Sequence, residues 1–277
     1  MWRSIAEKRA PEALILVATL ALAGVPGGDL LADEAIEVLF TSQNDPGETA
    51  LADRVVASIQ SAKETIVIAV AHFNFDRIAK AVVERRKEVD GLDVRVLVDF
   101  GEFGTQSSEV RRLEENDIPV RYKFYSLGYF HIKASLMHHK FMVVDGKELL
   151  TGSYNWSLTA EAANDENLLV FGAKRHPEVV KRYQDEFESL WELGRSTYPA
   201  FRRAILDEET RYLPVHFNTR YFSTPMVLTR REINPILSAA RKAGLFEDEK
   251  NLESNYFDRT TKQPLDELPG SPRLIRE

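Results

Sequence analysis

Between residues 36 and 193 the chain alternates short apolar, β-branched runs with longer stretches whose apolar positions recur every three or four residues. "IEVLFT" (Ile36 to Thr41) predicts a first strand, and Asp45-Pro46-Gly47 a turn that opens a helix. In that helix Leu51, Val55 and Ile59 fall on one side, which suits a helix laid on a sheet. "ETIVIAVAHF" (Glu64 to Phe73) is apolar on both faces, the pattern of a central strand covered from both sides. A charged helix over 75–88, a strand at Asp93 to Phe100, a helix at Glu109 to Asn116 and a strand at Ile118 to Tyr125 continue the alternation.

"FMVVD" and "ELLTGSYN", separated by Gly146-Lys147, predict a hairpin. "ENLLVFG" (Glu166 to Gly172) is a further strand. Pro177 to Leu193 is a long helix whose stripe of Val179, Val180, Tyr183, Phe187, Leu190 and Trp191 reads as core packing. The expected fold is therefore α/β, a central mixed β-sheet flanked by helices on both faces. After Tyr198-Pro199 the rhythm fails. Only one helix, around Arg230 to Ala243, is expected there, before a poorly ordered Pro- and acid-containing end.

Composition narrows the function classes. The chain has 277 residues, 44% of them hydrophobic, enough for one substantial core and a small appendage. A net charge of −7 excludes coating of nucleic acid through the overall field, so any polyanion site is local. The absence of cysteine excludes disulfides, thiolate metal sites and cysteine nucleophiles. At the N-terminus, Arg3, Lys8 and Arg9 precede the uncharged apolar run Ala13 to Val25, with a small-x-small step at Ala21 and Ala23. That layout predicts a signal peptide and export to the periplasm or medium. A short membrane anchor is the alternative, and the run is shorter than the roughly 20 residues of a spanning helix.

The chemistry concentrates in "HHKFMVVDGKELLTGSYNWS", residues 138 to 157. On a strand His138 and Lys140 share a face while His139 points the other way, and Ser153 and Asn155 share a face of the partner strand. A neutral imidazole, a fixed cation and two oxygen-binding side chains suit phosphoryl or acyl transfer, and the lysine favours phosphate.

His138-x-Lys140, four residues, Asp145, six residues, Gly152-Ser153-x-Asn155 resembles the HKD motif of the phospholipase D superfamily, over roughly residues 35 to 195. His131-Ile132-Lys133 lacks the aspartate and the Gly-Ser-x-Asn in register, so it reads as loop or strand lead-in, with His131 able to reach a phosphate only from the rim. The resemblance implies a phospholipase D-like layered fold with one HKD motif per chain and a metal-independent phosphodiesterase with no cofactor. In such enzymes one motif histidine forms a phosphohistidine while a second protonates the leaving oxygen and activates water. None of the other five histidines completes a second motif, so a homodimer sharing one active site is expected.

Carried over residue by residue, the resemblance makes His138 the nucleophile or acid/base. Lys140 and Asn155, with Ser153, become holders of phosphate oxygens, and Glu166 the acceptor that orients His138. Asp145 counts with the catalytic set by its place in the motif, although a hairpin-shaping role suits it better than proton donation. Gly152 allows close backbone approach. His72, in "AHFNF", either lines the site or fills space.

On this reading residues 1–28 are a signal peptide or short anchor, 35–197 the phospholipase D-like catalytic domain and 198–277 a partly disordered C-terminal extension. Arg121, Lys123, Lys133, Lys140 and Lys147, interleaved with Tyr122, Phe124, Tyr125, Tyr129, Phe130 and Phe141, predict a basic aromatic rim. Such a rim suits single-stranded nucleic acid and, nearly as well, an anionic phospholipid surface. The resemblance to the small bacterial nuclease branch makes a nuclease acting on DNA or RNA the first expectation. A phospholipase D acting on headgroups is the second, and a noncatalytic binding module the third.

Overall fold

Thr65–Val70 is the strand on which the rest is laid, and the computed structural model shows why its apolar run is two-sided. The structure describes residues 36–41, 48–124, 136–206 and 226–242. Ile66, Ile68 and Val70 enter one core cluster, while Val67 and Ala69 enter a second on the opposite face. The sequence-predicted N-terminal segment and His131 lie outside the described residues.

In chain order the elements are β1 (Glu37–Phe40), α1 (Ala50–Ser61), β2 (Thr65–Val70), α2 (Asp76–Glu88), β3 (Asp93–Asp99), α3 (Phe100–Gly104), α4 (Ser108–Glu115) and β4 (Val120–Phe124). They continue with β5 (Lys140–Val144), β6 (Glu148–Gly152), α5 (Leu158–Ala162), β7 (Asn167–Gly172), α6 (Pro177–Trp191), α7 (Tyr198–Leu206), β8 (Met226–Leu228) and α8 (Arg230–Lys242). They build one eight-stranded sheet, ordered β1-β7-β6-β5-β2-β3-β4-β8. β2 and β4 run parallel to β3, whereas β5 is antiparallel to β2, β6 to β5 and β7 to β6, so the sheet is mixed.

Helices cover both faces, as the alternation predicted. Leu51, Val55 and Ile59 of α1, Ile78 and Val82 of α2, Val110 and Leu113 of α4 and Ile233 and Ile236 of α8 pack in the larger cluster. Val180, Phe187 and Trp191 of α6 fill the other, with Val179, Tyr183 and Leu190 half-buried beside them. The apolar stripe of α6 is therefore core. Arg54 ties α1 to the sheet through Glu37 at 2.7 Å and the buried Glu148 of β6 at 2.6 Å.

Two departures from the sequence reading matter. The hairpin turn is centred on Asp145-Gly146 rather than Gly146-Lys147: both have positive φ, 52° and 60°, and Lys147 N–H donates to the Val144 carbonyl at 2.8 Å. That is the sign pattern of a type I′ turn, whose twist matches the strands. Second, the boundary drawn at residue 197 precedes a further strand of the same sheet and a helix packed on it. Met226–Leu228 pairs with β4 from Tyr122 to Phe124, and α8 buries Ile233, Ile236 and Leu237 against the larger cluster. A three-residue strand is too short to show an alternating pattern, which is why it escaped the sequence. The stretches 207–225 and 243–277 lie outside the described residues. Among the described residues no helix is long and apolar enough to cross a membrane.

Phe187 is fully buried, stacked on Trp191 with ring centroids 5.5 Å apart and with the Arg95 guanidinium 5.3 Å from its ring. Phe187→Ala opens a cavity between α6 and the sheet. The expected cost is about 3–5 kcal/mol, read as a lower urea midpoint with an unchanged m value.

Candidate active site

The sheet's polarity gathers the chemistry at one edge. β2 ends where β5 begins, β6 ends beside that point and β7 starts there. His72 follows the end of β2, His138 precedes β5, Ser153 and Asn155 follow β6, and Glu166 precedes β7. This is also the carboxyl edge of the parallel pair β2 and β3, where open α/β sheets leave room for ligands. In the β2–β5 ladder Val70 pairs with Lys140, and Ala71 N–H donates to the His139 carbonyl at 2.9 Å. Continued one step, the register sets His72 opposite His138.

His138 is exposed and Lys140 nearly buried, at 9% relative exposure. The Lys140 ammonium donates to the His138 carbonyl at 2.8 Å, which fixes the charge beside the imidazole. That charge, followed by partial burial and by His72, holds His138 below the ordinary histidine value. A neutral imidazole with a free lone pair is what a nucleophile at neutral pH requires. Burial also pushes the Lys140 ammonium down, and the Glu166 carboxylate opposes this. His139 points the other way, its Nε2 3.3 Å from Glu186 of α6, as strand alternation predicted.

Glu166 makes other hydrogen bonds than the expected one. Its Oε2 accepts from Ser153 Oγ at 2.5 Å and its Oε1 from Asn164 Nδ2 at 3.2 Å. Among the described residues no hydrogen bond joins it to His138; the carboxylate binds Ser153 and acts on the Lys140 charge. Ser153 is bound into the same knot, since its Oγ accepts from Asn167 N–H at 3.1 Å. Ser153 and Asn155 do not share a strand face, because β6 stops at Gly152. Asn155 is instead placed by its neighbour Trp156, whose N–H donates to the His72 carbonyl at 3.1 Å and whose ring meets Phe73 edge-on. The Asn155 Oδ1 is buried with no hydrogen-bond partner among the described residues, leaving one end of the amide uncommitted. At Gly152 a Cβ would lie 2.2 Å from the Asn167 carbonyl oxygen, so close approach to β7 requires glycine.

Asp145 stands apart from the other residues of the motif. It lies at the opposite end of β5, roughly 20 Å from His138 along an extended strand. Its carboxylate accepts from the N–H groups of Lys63, Glu64 and Thr65 at 2.8–3.2 Å, clamping the start of β2 to the hairpin turn. Of the basic aromatic rim, Tyr125, Tyr129, Phe130 and Lys133 lie outside the described residues, and the described members do not share one surface. Tyr122, Phe124 and Phe141 are core residues, and Arg121 stacks on Trp191 at 4.1 Å. Lys123 is buried and Lys147 pairs with Glu64 beside Asp145. Proximity in sequence hid the alternation of faces that separates these side chains.

The sequence reading missed Glu102 and Asp99. Asp99 caps α3 through Gly101 N–H at 2.9 Å and accepts from Met137 N–H at 2.9 Å, holding the approach to His138. Glu102, 3% exposed, takes His72 Nδ1 at 3.0 Å. This bond, against partial burial, raises His72 above the ordinary histidine value, with further help from the charges of Glu102 and Asp99. The available signal was "VDFGEFG", acids placed directly after an apolar strand at the edge where ligands bind.

Residues 55–191 match the family described as cardiolipin synthase, PLD-like domain. A mitochondrial cardiolipin hydrolase of Danio rerio is 32% identical over 139 residues, 50% of this chain and 56% of that protein. One from Xenopus laevis is 35% identical over 140 residues, 50% of this chain and 60% of that protein. The chain thus spans little more than half the length of these curated relatives. Among solved structures, the phospholipase D family member Nuc from Salmonella typhimurium aligns with a TM-score of 0.46 at 24% identity, covering 57% of this chain and 94% of that one.

If Asp145 is architectural, Asp145→Ala loses three backbone hydrogen bonds and no reacting group. The expected result is a fall in stability of about 2 kcal/mol. Turnover per folded molecule, assayed well below the melting transition, stays within a few-fold of wild type.

Proposed function

This chain belongs to the phospholipase D superfamily, and on that premise we propose that it is a metal-independent phosphodiesterase that hydrolyses nucleic-acid phosphodiester bonds through a phosphohistidine on His138. One observation carries the reading: an exposed imidazole beside an immobilised ammonium that lowers its pKa and favours its neutral form. The His138 nitrogen attacks phosphorus, so that a P–N bond forms as the bond to the leaving oxygen breaks. A second imidazole gives its proton to that oxygen, then takes one from the water that cleaves the P–N bond. Lys140, with the amide of Asn155, holds the nonbridging oxygens and supplies the charge that a divalent ion supplies elsewhere.

For the second imidazole we propose His138 of another copy, paired about a twofold axis in a homodimer. Within the chain His139 faces α6, and His176 precedes α6 at the far end of β7. Export through the Ala13 to Val25 segment is part of the same proposal. An open site supports a polymer substrate, since His138 and His72 both stand exposed at a sheet edge across which a strand can run. The names of the relatives, cardiolipin hydrolases, favour a second reading in which the diester is that of a phospholipid headgroup.

The full-length chain in EDTA, assayed on single-stranded DNA, RNA and phospholipid vesicles beside His138→Ala, tests both. The expected result is nucleic-acid cleavage insensitive to chelation, a loss on the order of 10³-fold or more in the variant, and an acid-labile phosphoryl adduct on His138. Lipid turnover without nucleic-acid cleavage selects the second reading. Loss of activity in chelator, restored by a divalent ion, rejects the metal-independent mechanism. No turnover and no adduct leaves a binding module.

A further inference from the structure

His72 stands opposite the proposed nucleophile, and the mechanism above gives it no task. Its Nδ1 is committed to Glu102 at 3.0 Å, which leaves Nε2 as the free end. The ring is half exposed, 55% by side chain, while the carboxylate behind it is 3% exposed. A buried anion therefore holds an outward-facing ring in one orientation. Lys140 is built on the same plan, a cation at the site with the largely buried Glu166 carboxylate acting on it.

We propose that His72, pinned by Glu102, binds a nonbridging oxygen of the reacting phosphodiester beside Lys140. This rests on the reading of His138 as nucleophile and decides between two tasks for the second imidazole of the chain. In an in-line displacement the departing oxygen lies on the side of phosphorus away from the attacking nitrogen. The nonbridging oxygens lie to the sides. A residue directly opposite His138 on the adjacent strand has its Cβ about 4.5–5.5 Å away, which puts its ring beside the attack line rather than across from it. His72 is thus placed for the equatorial oxygens and not for the leaving group, whose proton must come from the far side, where a second copy would stand.

Charge supports the same task. The groups facing His72 are Glu102 on α3 and Asp99 at the end of β3, which favour the imidazolium, and Lys140 on β5, which opposes it. His138, on the approach to β5, is the fourth group, and His72 in turn acts on it. With the hydrogen bond that His72 donates to Glu102 outweighing the rest, His72 holds its proton to higher pH than a free histidine does, while His138 loses its own at lower pH. Neighbouring imidazoles driven apart in this way divide the labour: one attacks and the other carries positive charge. Glu102 acts through His72 and is a positioning residue.

The test is the pH profile of kcat/KM for the full-length enzyme on two diesters. One is bis(4-nitrophenyl) phosphate, whose leaving group needs no proton. The other is a single-stranded oligodeoxynucleotide, replaced by phosphatidylglycerol vesicles if lipid is what is turned over. His72→Asn is expected to lower kcat/KM roughly 10²-fold on both substrates, the usual cost of removing one donor to a developing oxyanion. In the wild type the activity assigned to the imidazolium is present at lower pH and is lost as pH rises through the raised His72 pKa. Glu102→Gln removes the cause of that rise, so the alkaline limb moves to lower pH. His72→Lys, which keeps a cation, exceeds His72→Asn and holds its rate beyond that limb. Melting temperatures and trapping of the His138 adduct in each variant separate loss of fold from loss of the oxygen contact.

A loss confined to the poor leaving group would make His72 a proton donor and overturn the proposal. So would a His72→Asn enzyme with wild-type kcat/KM, or an alkaline limb unmoved in Glu102→Gln. An active wild-type enzyme without a His138 adduct would overturn the nucleophile assignment instead, and the comparison of the two substrates in His72→Asn would still decide the task of His72.

Discussion

The site depends on one register, that of β2 against β5. Val70 pairs with Lys140 and Ala71 bonds to His139, so the sheet's own ladder delivers His72 and His138 to facing positions. A slip of one residue would turn His138 toward α6 and present His139 instead, because side chains alternate strictly along a strand. Asp145 locks this register from the far end. Its carboxylate gathers three successive N–H groups at the start of β2, and its positive φ closes the hairpin into β6. The motif's aspartate thus acts at a distance from the histidine, by fixing the start of β2 against the end of β5.

Electrostatics then divides what the register brings together. The chain carries a net charge of −7, yet each cation at the site has a buried carboxylate behind it: Glu102 for His72 and Glu166 for Lys140. Buried carboxylates are costly unless paired, so these act as fixed counter-ions that make the cations part of the framework. His138 is outside both pairs. It feels the Lys140 ammonium more than the Asp99 carboxylate, and its pKa is held below the ordinary histidine value. A phosphodiester, negative throughout the reaction, fits such a place without help from the overall field.

Much of this was legible in the sequence. The two-sided run from Glu64 to Phe73 and the stripe of α6 each have a period that physics links to one arrangement, whereas the spacing from His138 to Asn155 was read through its resemblance to a family motif. What stayed hidden are features set by chain ends meeting in space. Ser153 and Asn155 looked like strand neighbours, but β6 stops at Gly152 and the knot around Glu166 captures Ser153. Tyr122, Lys123, Phe124 and Phe141 looked like one surface because linear proximity ignores the faces of β4 and β5. Glu102 carries no motif. Its partner is 30 residues away, and only the parallel pairing of β2 with β3 brings the two together.

The C-terminal elements show how far such support extends. Arg230, at the start of α8, donates to Glu114 of α4 at 2.7 Å and to the Tyr122 hydroxyl at 2.6 Å. Its guanidinium lies 4.6 Å from the ring of Phe103, the residue after Glu102. Burial raises the Tyr122 phenol, so it stays protonated and donates to Glu114 at 2.9 Å while accepting from Arg230. One arginine from the far end of the chain therefore packs α3 onto β4 and α4. α3 is a five-residue helix with little hold of its own. It needs that weight if Glu102 is to keep a fixed place under His72. The helix that Arg230 opens is thus joined to α3, and through it to Glu102, by three aromatic and ionic contacts.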